Sequence, residues 1–429
     1  MNEDLLHTLW KHSLFATHDL RTTQGEPIKI IRVGDHNFNA GPDFLNAQML
    51  MGEVRWAGSV EIHWKTSHWD LHGHSEDTAY ENVILHVVYE HDSDIHNHIP
   101  VLALKDYIAD ATLDRYKKLK PNNKTIPCQD QINLIEPFHI SAWLERMTIE
   151  KLEQKVILIE EKFRASKGNW REVFYQYLGR NFGFKVNADA FERLTETLPQ
   201  NILAKHRKNL LQLEALLYGQ AGMLETDFID IYPNVLKNEW SFLRKKYQLS
   251  PIGINRWKFL RMRPDNFPSI RISQFAKLSH HSDHLFSRVL DTDSVKTLES
   301  LFQSEASPYW DSHYTFEHES KKSVPKRMGS ASVQILLINT VIPMLYAYGM
   351  LRGDQKFKDK ALDFLMQIKP EHNSITALMG GVGFTKKNAF DSQGLLHLKK
   401  EYCDKKRCLN CGIGIKILQS PNVNLKIAE

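Results

Sequence analysis

The feature that most constrains this chain is a single change in the period of its hydrophobic pattern. Upstream of about residue 136, apolar residues fall in short runs rich in β-formers, at 27–33, 44–51, 60–65 and 83–90, separated by Gly, Pro, Asn and Asp. From Glu136 the spacing is helical and stays so, through SAWLERMTIEKLEQKVILIEEKF, NWREVFYQYLGRNF, ADAFERLTETL and NLLQLEALLYGQAGML. A short amphipathic helix over 4–15 opens the chain, with Leu5, Leu6, Leu9, Trp10 and Leu14 at helical spacing. The fold class that follows is an α/β N-terminal domain with a mixed sheet, followed by a mainly α-helical region. At 429 residues the chain exceeds one ordinary core. We place domains at 1–130, 131–272 and 273–429, the last two helical and the last ending in a Cys-rich segment. The break between the helical parts is a basic turn over 256–273, where Arg256, Lys258, Arg261, Arg263 and Arg271 alternate with Pro264, Asn266 and Pro268.

Charge and composition narrow the setting. The N-terminal twenty residues carry Glu3, Asp4, His7, Lys11 and His12, so they lack the unbroken apolar core of a secretory signal. The most apolar stretch, 333–351, is interrupted by Gln334, Asn339, Thr340 and Pro343, and reads as a buried helix, not a bilayer span. We therefore expect a cytoplasmic protein with no membrane partner. A net charge of +4 admits nucleic acid without demanding it. The basic turn interleaves its cations with Trp257, Phe259 and Phe267, a pattern that suits a phosphate backbone and stacked bases, although a solvated helix face carries the same pattern.

Acids and histidines concentrate between Gly34 and His74. Alternation on SVEIHWK puts Glu61, His63 and Lys65 on one face of a strand. The Gly41-Pro42 turn delivers Asp43 to the start of the preceding strand, where an antiparallel neighbour carries Glu61 beside it. Two such carboxylates make an oxygen site for Mg²⁺ or Mn²⁺. Phosphodiester cleavage is the natural chemistry, with His63 or Lys65 assisting the water. His63, His72 and His74 joined by Asp43 or Glu61 are a second arrangement, favouring Zn²⁺, Mn²⁺ or Fe²⁺. His86, within VILHVV, reads as a core histidine with bonded nitrogens or as a further group on the same pocket.

Asp43 after a proline, a hairpin, and Glu61-x-His63 on the next strand resemble the PD-(D/E)XK nuclease superfamily. That resemblance implies a restriction-endonuclease-like core of helix, three strands, helix and strand, and nucleic acid as partner. It also implies Asp43 and Glu61 as metal ligands, the Ile62 backbone nearby, and an acid on the first helix, such as Glu3, as an extra. The position of the family's lysine holds His63, with Lys65 two residues on. Across the chain, NAGPDFLNAQM, GSVEIHWKTSHWDLHGH, NVILHVV and the C-terminal YC-x3-RC-x2-C resemble an uncharacterised bacterial family, domain of unknown function 2851. The rival to a nuclease is a scaffold that binds nucleic acid or protein on a degenerate nuclease fold.

The second metal signal lies at the other end. His397, Cys403, Cys408 and Cys411 place an imidazole and three thiols within fifteen residues, the last pair at CxxC spacing. The fourth cysteine, Cys128, follows Pro127 near the end of the first domain. A lone cysteine plus a C-terminal group of three resembles the iron-sulfur staple of some nucleases of that superfamily. Zinc or an iron-sulfur cluster is the expected occupant.

Overall fold

In the computed structural model, which describes residues 3–94, 99–119 and 124–420, the first helix is α1 (Glu3–Lys11). It forms because Leu5, Leu6, Leu9 and Trp10 share a face, and all four are fully buried. Glu3 and Asp4 sit at its positive end and Lys11 at its negative end, as the helix dipole favours. The Trp10 indole N–H donates to the Val33 carbonyl at 2.9 Å, so the apolar face buries its polar atom satisfied.

The strands are β1 (Ile28–Arg32), β2 (Asp35–His36), β3 (Phe44–Met51), β4 (Val54–Lys65), β5 (Val83–Glu90) and β6 (Val101–Ala103). They order as β1-β3-β4-β5-β6, with β2 also paired to β3. The β1–β3, β2–β3 and β3–β4 pairs are antiparallel, whereas β4–β5 and β5–β6 are parallel. The expected mixed sheet and the mainly helical region after it are therefore what the chain forms. β4 starts at Val54, six residues earlier than the apolar run, because its first four residues are exposed and leave no hydrophobic signature. β5 is buried along VILHVV, as a strand covered on both faces requires. Where β5 enters, a Cβ on Gly58 would stand 2.5 Å from Ile84 Cγ2 and 2.6 Å from the Asn82 carbonyl, so glycine is needed for the approach.

A four-residue helix, α2 (His68–Leu71), and two 3₁₀ turns, His74–Glu76 and Thr78–Tyr80, connect β4 to β5. After β6 comes α3 (Asp110–Leu119). The chain divides into two compact units, and the first contains everything up to Leu144 together with Ser374–Phe384 and the residues from Leu395 on. The C-terminal segment thus returns to the α/β unit, where the Thr112 hydroxyl donates to the Leu418 carbonyl at 3.5 Å.

The second unit, Glu145–Asn373 with Thr385–Gly394, is helical. Phe182, Phe191, Tyr218, Phe275, Phe302, Trp310 and Phe364 form the bulk of its core. Its helix Pro268–His281 starts earlier than the resumption of helical spacing at 273, because Pro268 takes the first-turn position that needs no amide hydrogen. Ser330–Arg352, interrupted by a π turn over Leu337–Val341, is long and apolar enough to cross a membrane by length and composition. Of its apolar window, 67% is buried within the protein.

Candidate functional site

Asp43 and Glu61 meet through a fault in the β3–β4 ladder. Phe44 pairs with Val60 and Ala47 with Gly58, the register shifting between them. Asn46, inside that bulge, takes the left-handed conformation at φ 58°. Continuing the register past Phe44 sets Asp43 opposite Glu61. The Asp43 N–H donates to Glu61 Oε2 at 3.1 Å, and the Ile62 N–H donates to Asp43 Oδ2 at 2.9 Å. Each carboxylate is thus fixed by the backbone beside the other.

Three further segments bring imidazoles to this pair. From α1, His7 Nε2 lies 3.2 Å from Asp43 Oδ2, and Glu3, one turn before it, lies 3.5 Å from His68 Nδ1. From the sheet, His63 shares the Glu61 face of β4, and its Nδ1 is 2.9 Å from Nε2 of His86 on β5. His86 is buried, and its Nε2 is bonded to a residue of the site. From the β4–β5 connection, His72 and His74 flank Gly73, whose φ of 72° turns the chain back on itself. His72 Nδ1 is 3.1 Å from His63 Nε2, and His74 Nε2 is 3.3 Å from Glu61 Oε1. One ring nitrogen from each of His63, His72 and His74 lies within 4.8 Å of the others. Gly73→Val should cost about 1–2 kcal/mol at this left-handed position, and thermal unfolding of the variant beside wild type checks it.

The titrating groups of the cluster are shifted by burial and by one another. Burial, then the neighbouring Asp43 carboxylate, pushes the Glu61 carboxyl up to about 8. Burial and the surrounding imidazoles of His86, His72, His74 and His68 push His63 down to about 2, so it is neutral at physiological pH. His74 is lowered by burial and by His72. His7 moves the other way: burial opposes its charging, but the nearby Asp43 carboxylate, with those of Glu3 and Asp4, outweighs it. Tyr80, stacked on His74 at 3.9 Å, is pushed up to about 12 by burial and by the Glu61 and Asp43 charges. His7 Nε2 and His74 Nε2 are buried and face carboxylates without hydrogen-bond geometry. Neutral imidazoles, two carboxylates and unsatisfied ring nitrogens make a donor set that fits a divalent metal.

Residues 3–374 match the family described as protein of unknown function (DUF2851). The chain belongs to this family. No curated protein and no solved structure matches it. The matched span of the DUF2851 chain takes in the whole acid and histidine cluster and ends before the C-terminal cysteines, narrower than the near-complete coverage expected from YC-x3-RC-x2-C.

Of the residues singled out in the DUF2851 sequence, Asp43, Glu61 and His63 come together. Lys65 is half exposed, 3.7 Å from Asp92 Oδ2. The spacing argument missed His7 and gave His68, one of the clustered histidines, no role in the site. The i, i+4 relation of Glu3 and His7 on α1 was the available signal, since it puts an acid and an imidazole on one helix face. Cys128, Cys403, Cys408 and Cys411 line one small cavity of the first unit, all with free thiols. His397, buried on the helix Ala389–His397, is not among the residues lining it. Burial, then Cys411 and Cys408, push Cys128 up to about 12, and burial and Cys411 push Cys408 up to about 11. Cys403 is raised by burial and by the other three, and Cys411 by burial, opposed by the Gly414 and Ile413 amides at the start of helix Gly412–Gln419. A Cβ on Gly414 would stand 2.0 Å from the Cys408 carbonyl, so the cysteine loop closes only over glycine.

Proposed function

We propose that this chain is a metal-dependent phosphodiesterase acting on nucleic acid. The observation that carries the reading is the reciprocal bracing of Asp43 and Glu61, with the nitrogens of His63, His72 and His74 gathered beside Glu61. Several features favour a restriction-endonuclease-like core. A helix precedes the antiparallel strands, a parallel strand follows, and the acids occupy the two expected strand positions. The long helix of that plan is replaced by α2 and two 3₁₀ turns, and these carry His68, His72 and His74.

A divalent cation bound here would polarise a phosphodiester and acidify a water molecule. Asp43 and Glu61 would supply oxygen donors, while the imidazoles favour Mn²⁺ over Mg²⁺. His63, neutral and buried among other rings, acts as a nitrogen donor instead of replacing the family's lysine as base. His72, the exposed member of the trio, takes the proton from water. Lys65 stays with Asp92 and takes no part in the proton transfer.

The deciding measurement is cleavage of linear, branched and single-stranded substrates by the full chain, with Mg²⁺ or Mn²⁺ and with chelator. Metal-dependent cleavage is expected, faster with Mn²⁺. Tight binding of nucleic acid with metal present and no cleavage would replace this reading with the scaffold.

We also infer that the four cysteine thiols hold a structural metal, zinc or an iron-sulfur cluster. Four cysteines from two distant parts of the sequence line one small cavity, and thiols that share a site are stabilised as thiolates by a cation.

A further inference from the structure

The helical unit contains a cavity of about 430 Å³ whose lining is strongly cationic: Lys321, Lys322, Lys326 and Arg327 against the single acid Asp265. Lys326 is 6% exposed. Its ammonium lies over the Tyr314 ring at 4.2 Å and has no carboxylate partner among the described residues. A second buried cation stands behind it. The Arg271 guanidinium, 4% exposed, donates to Gln274 Oε1 at 2.8 Å and to Asn266 and Ser332, none of them charged. Its Nε has no hydrogen-bond partner, and its remaining contact is the face of Phe184 at 4.5 Å. Gln274 joins the two, accepting from Arg271 and donating to the Lys326 carbonyl at 2.8 Å. At the rim, Lys321 and Lys322 are exposed and have no ion pair among the described residues, whereas Arg327 is paired with Glu305.

Proteins rarely bury a cation without an opposing charge, because the lost hydration exceeds what a ring face returns. Lys326, lining a pocket with exposed lysines at its mouth, leaves an anion as the missing partner, whereas Arg271 lies outside that lining and has the Asp265 charge acting on it. We propose that this pocket binds a phosphate group, with Lys326 as its inner anchor and Lys321 and Lys322 as its outer contacts. Phosphate fits because it offers several acceptor oxygens to separate donors, as a Lys-rich cradle requires. The assignment goes beyond the hydrolytic reading and does not depend on it.

The test measures binding of a fluorescent single-stranded oligonucleotide, and of inorganic phosphate and a nucleoside triphosphate as competitors, to the full chain without added divalent metal. Wild type is expected to bind, with Lys326→Met at least tenfold weaker. A Lys321→Ala, Lys322→Ala double variant, whose exposed positions leave folding untouched, should also bind more weakly with a shallower salt dependence. Competition by free phosphate and nucleotide at concentrations that saturate the pocket assigns a small phosphorylated ligand. Binding of the oligonucleotide unaffected by them assigns a strand backbone. Wild-type affinity in both variants, or no binding by any of the three probes, overturns the proposal. Cleavage persisting alongside either result shows that the hydrolytic reading stands without the pocket.

Discussion

Glu61→Gln is expected to reduce metal-dependent cleavage by at least about 100-fold, because a catalytic metal contributes several kcal/mol to the transition state. The same substitution should stabilise the metal-free protein above neutrality. The folded Glu61 carboxyl titrates near 8 and its ordinary value is 4.5, so the folded chain holds a proton that the unfolded chain releases across that interval. Stability therefore falls as pH rises from 4.5 towards 8. His63 acts with the opposite sign: lowered from 6.5 to about 2, it makes stability rise with pH up to 6.5 and adds no slope beyond. Below 6.5 the two trends oppose each other, and above it the Glu61 trend remains, reinforced by the raised His7. Across the 1.5 units from 6.5 to 8 the loss is about 2 kcal/mol, at about 1.4 kcal/mol per unit. Gln carries no titrating proton, so its melting temperature should fall less steeply than that of wild type over that window, with only the His7 slope left. Added Mn²⁺ should reverse the wild-type decline, since it binds the ionised carboxylate, and should leave the variant unmoved. Parallel melting curves for the two proteins, or undiminished cleavage by the variant, would remove Glu61 from the site.

What could be read in advance follows from how locally each feature is encoded. Strands β3 and β5 were legible because burial leaves an apolar run in the sequence, and the first half of β4 was not, because it is exposed. Asp43 and Glu61 were legible as a pair because a hairpin fixes which residues face each other. The bulge at Asn46, which brings them into register, left no signal that spacing alone reveals. His7 and His68 join through tertiary packing of α1 and the β4–β5 connection, which periodicity does not encode. The basic run that looked suited to phosphate was 256–273, yet the pocket that collects unpaired cations uses mainly Lys321, Lys322 and Lys326, with Arg271 behind it. Chain distance hides such a set until the fold assembles it. The same holds for Cys128, whose companions lie near the other end of the chain, and for His397, whose proximity in sequence does not carry it into the cysteine cavity.

That distance gives the cysteine cavity its largest testable consequence. Cys403, Cys408 and Cys411 sit on one short segment, and three thiols so close in sequence can hold an ion without constraining much else. Cys128 ties that segment to the α/β core, so a metal bound by all four closes a very long loop and selects the folded chain over the unfolded one. Cys128→Ser should therefore release the metal and destabilise the first unit by several kcal/mol, on the order expected when a structural metal site is lost. Cys128→Ala, which removes the oxygen as well, should do the same, showing that the loss is of a ligand and not the burial of a hydroxyl. Acid should mimic both. Thiols raised to about 12 at Cys128 and about 11 at Cys408 bind protons tightly, so protons compete with the metal as pH falls, and stability should drop more steeply with acid in the metal-loaded protein than in the metal-free one. Metal analysis of purified wild type separates the occupants: about one zinc per chain without colour, or iron with labile sulfide and a brown absorbance. Protein purified without air and free of both, melting at the same temperature as Cys128→Ser, would reduce the four cysteines to buried thiols packed for their volume.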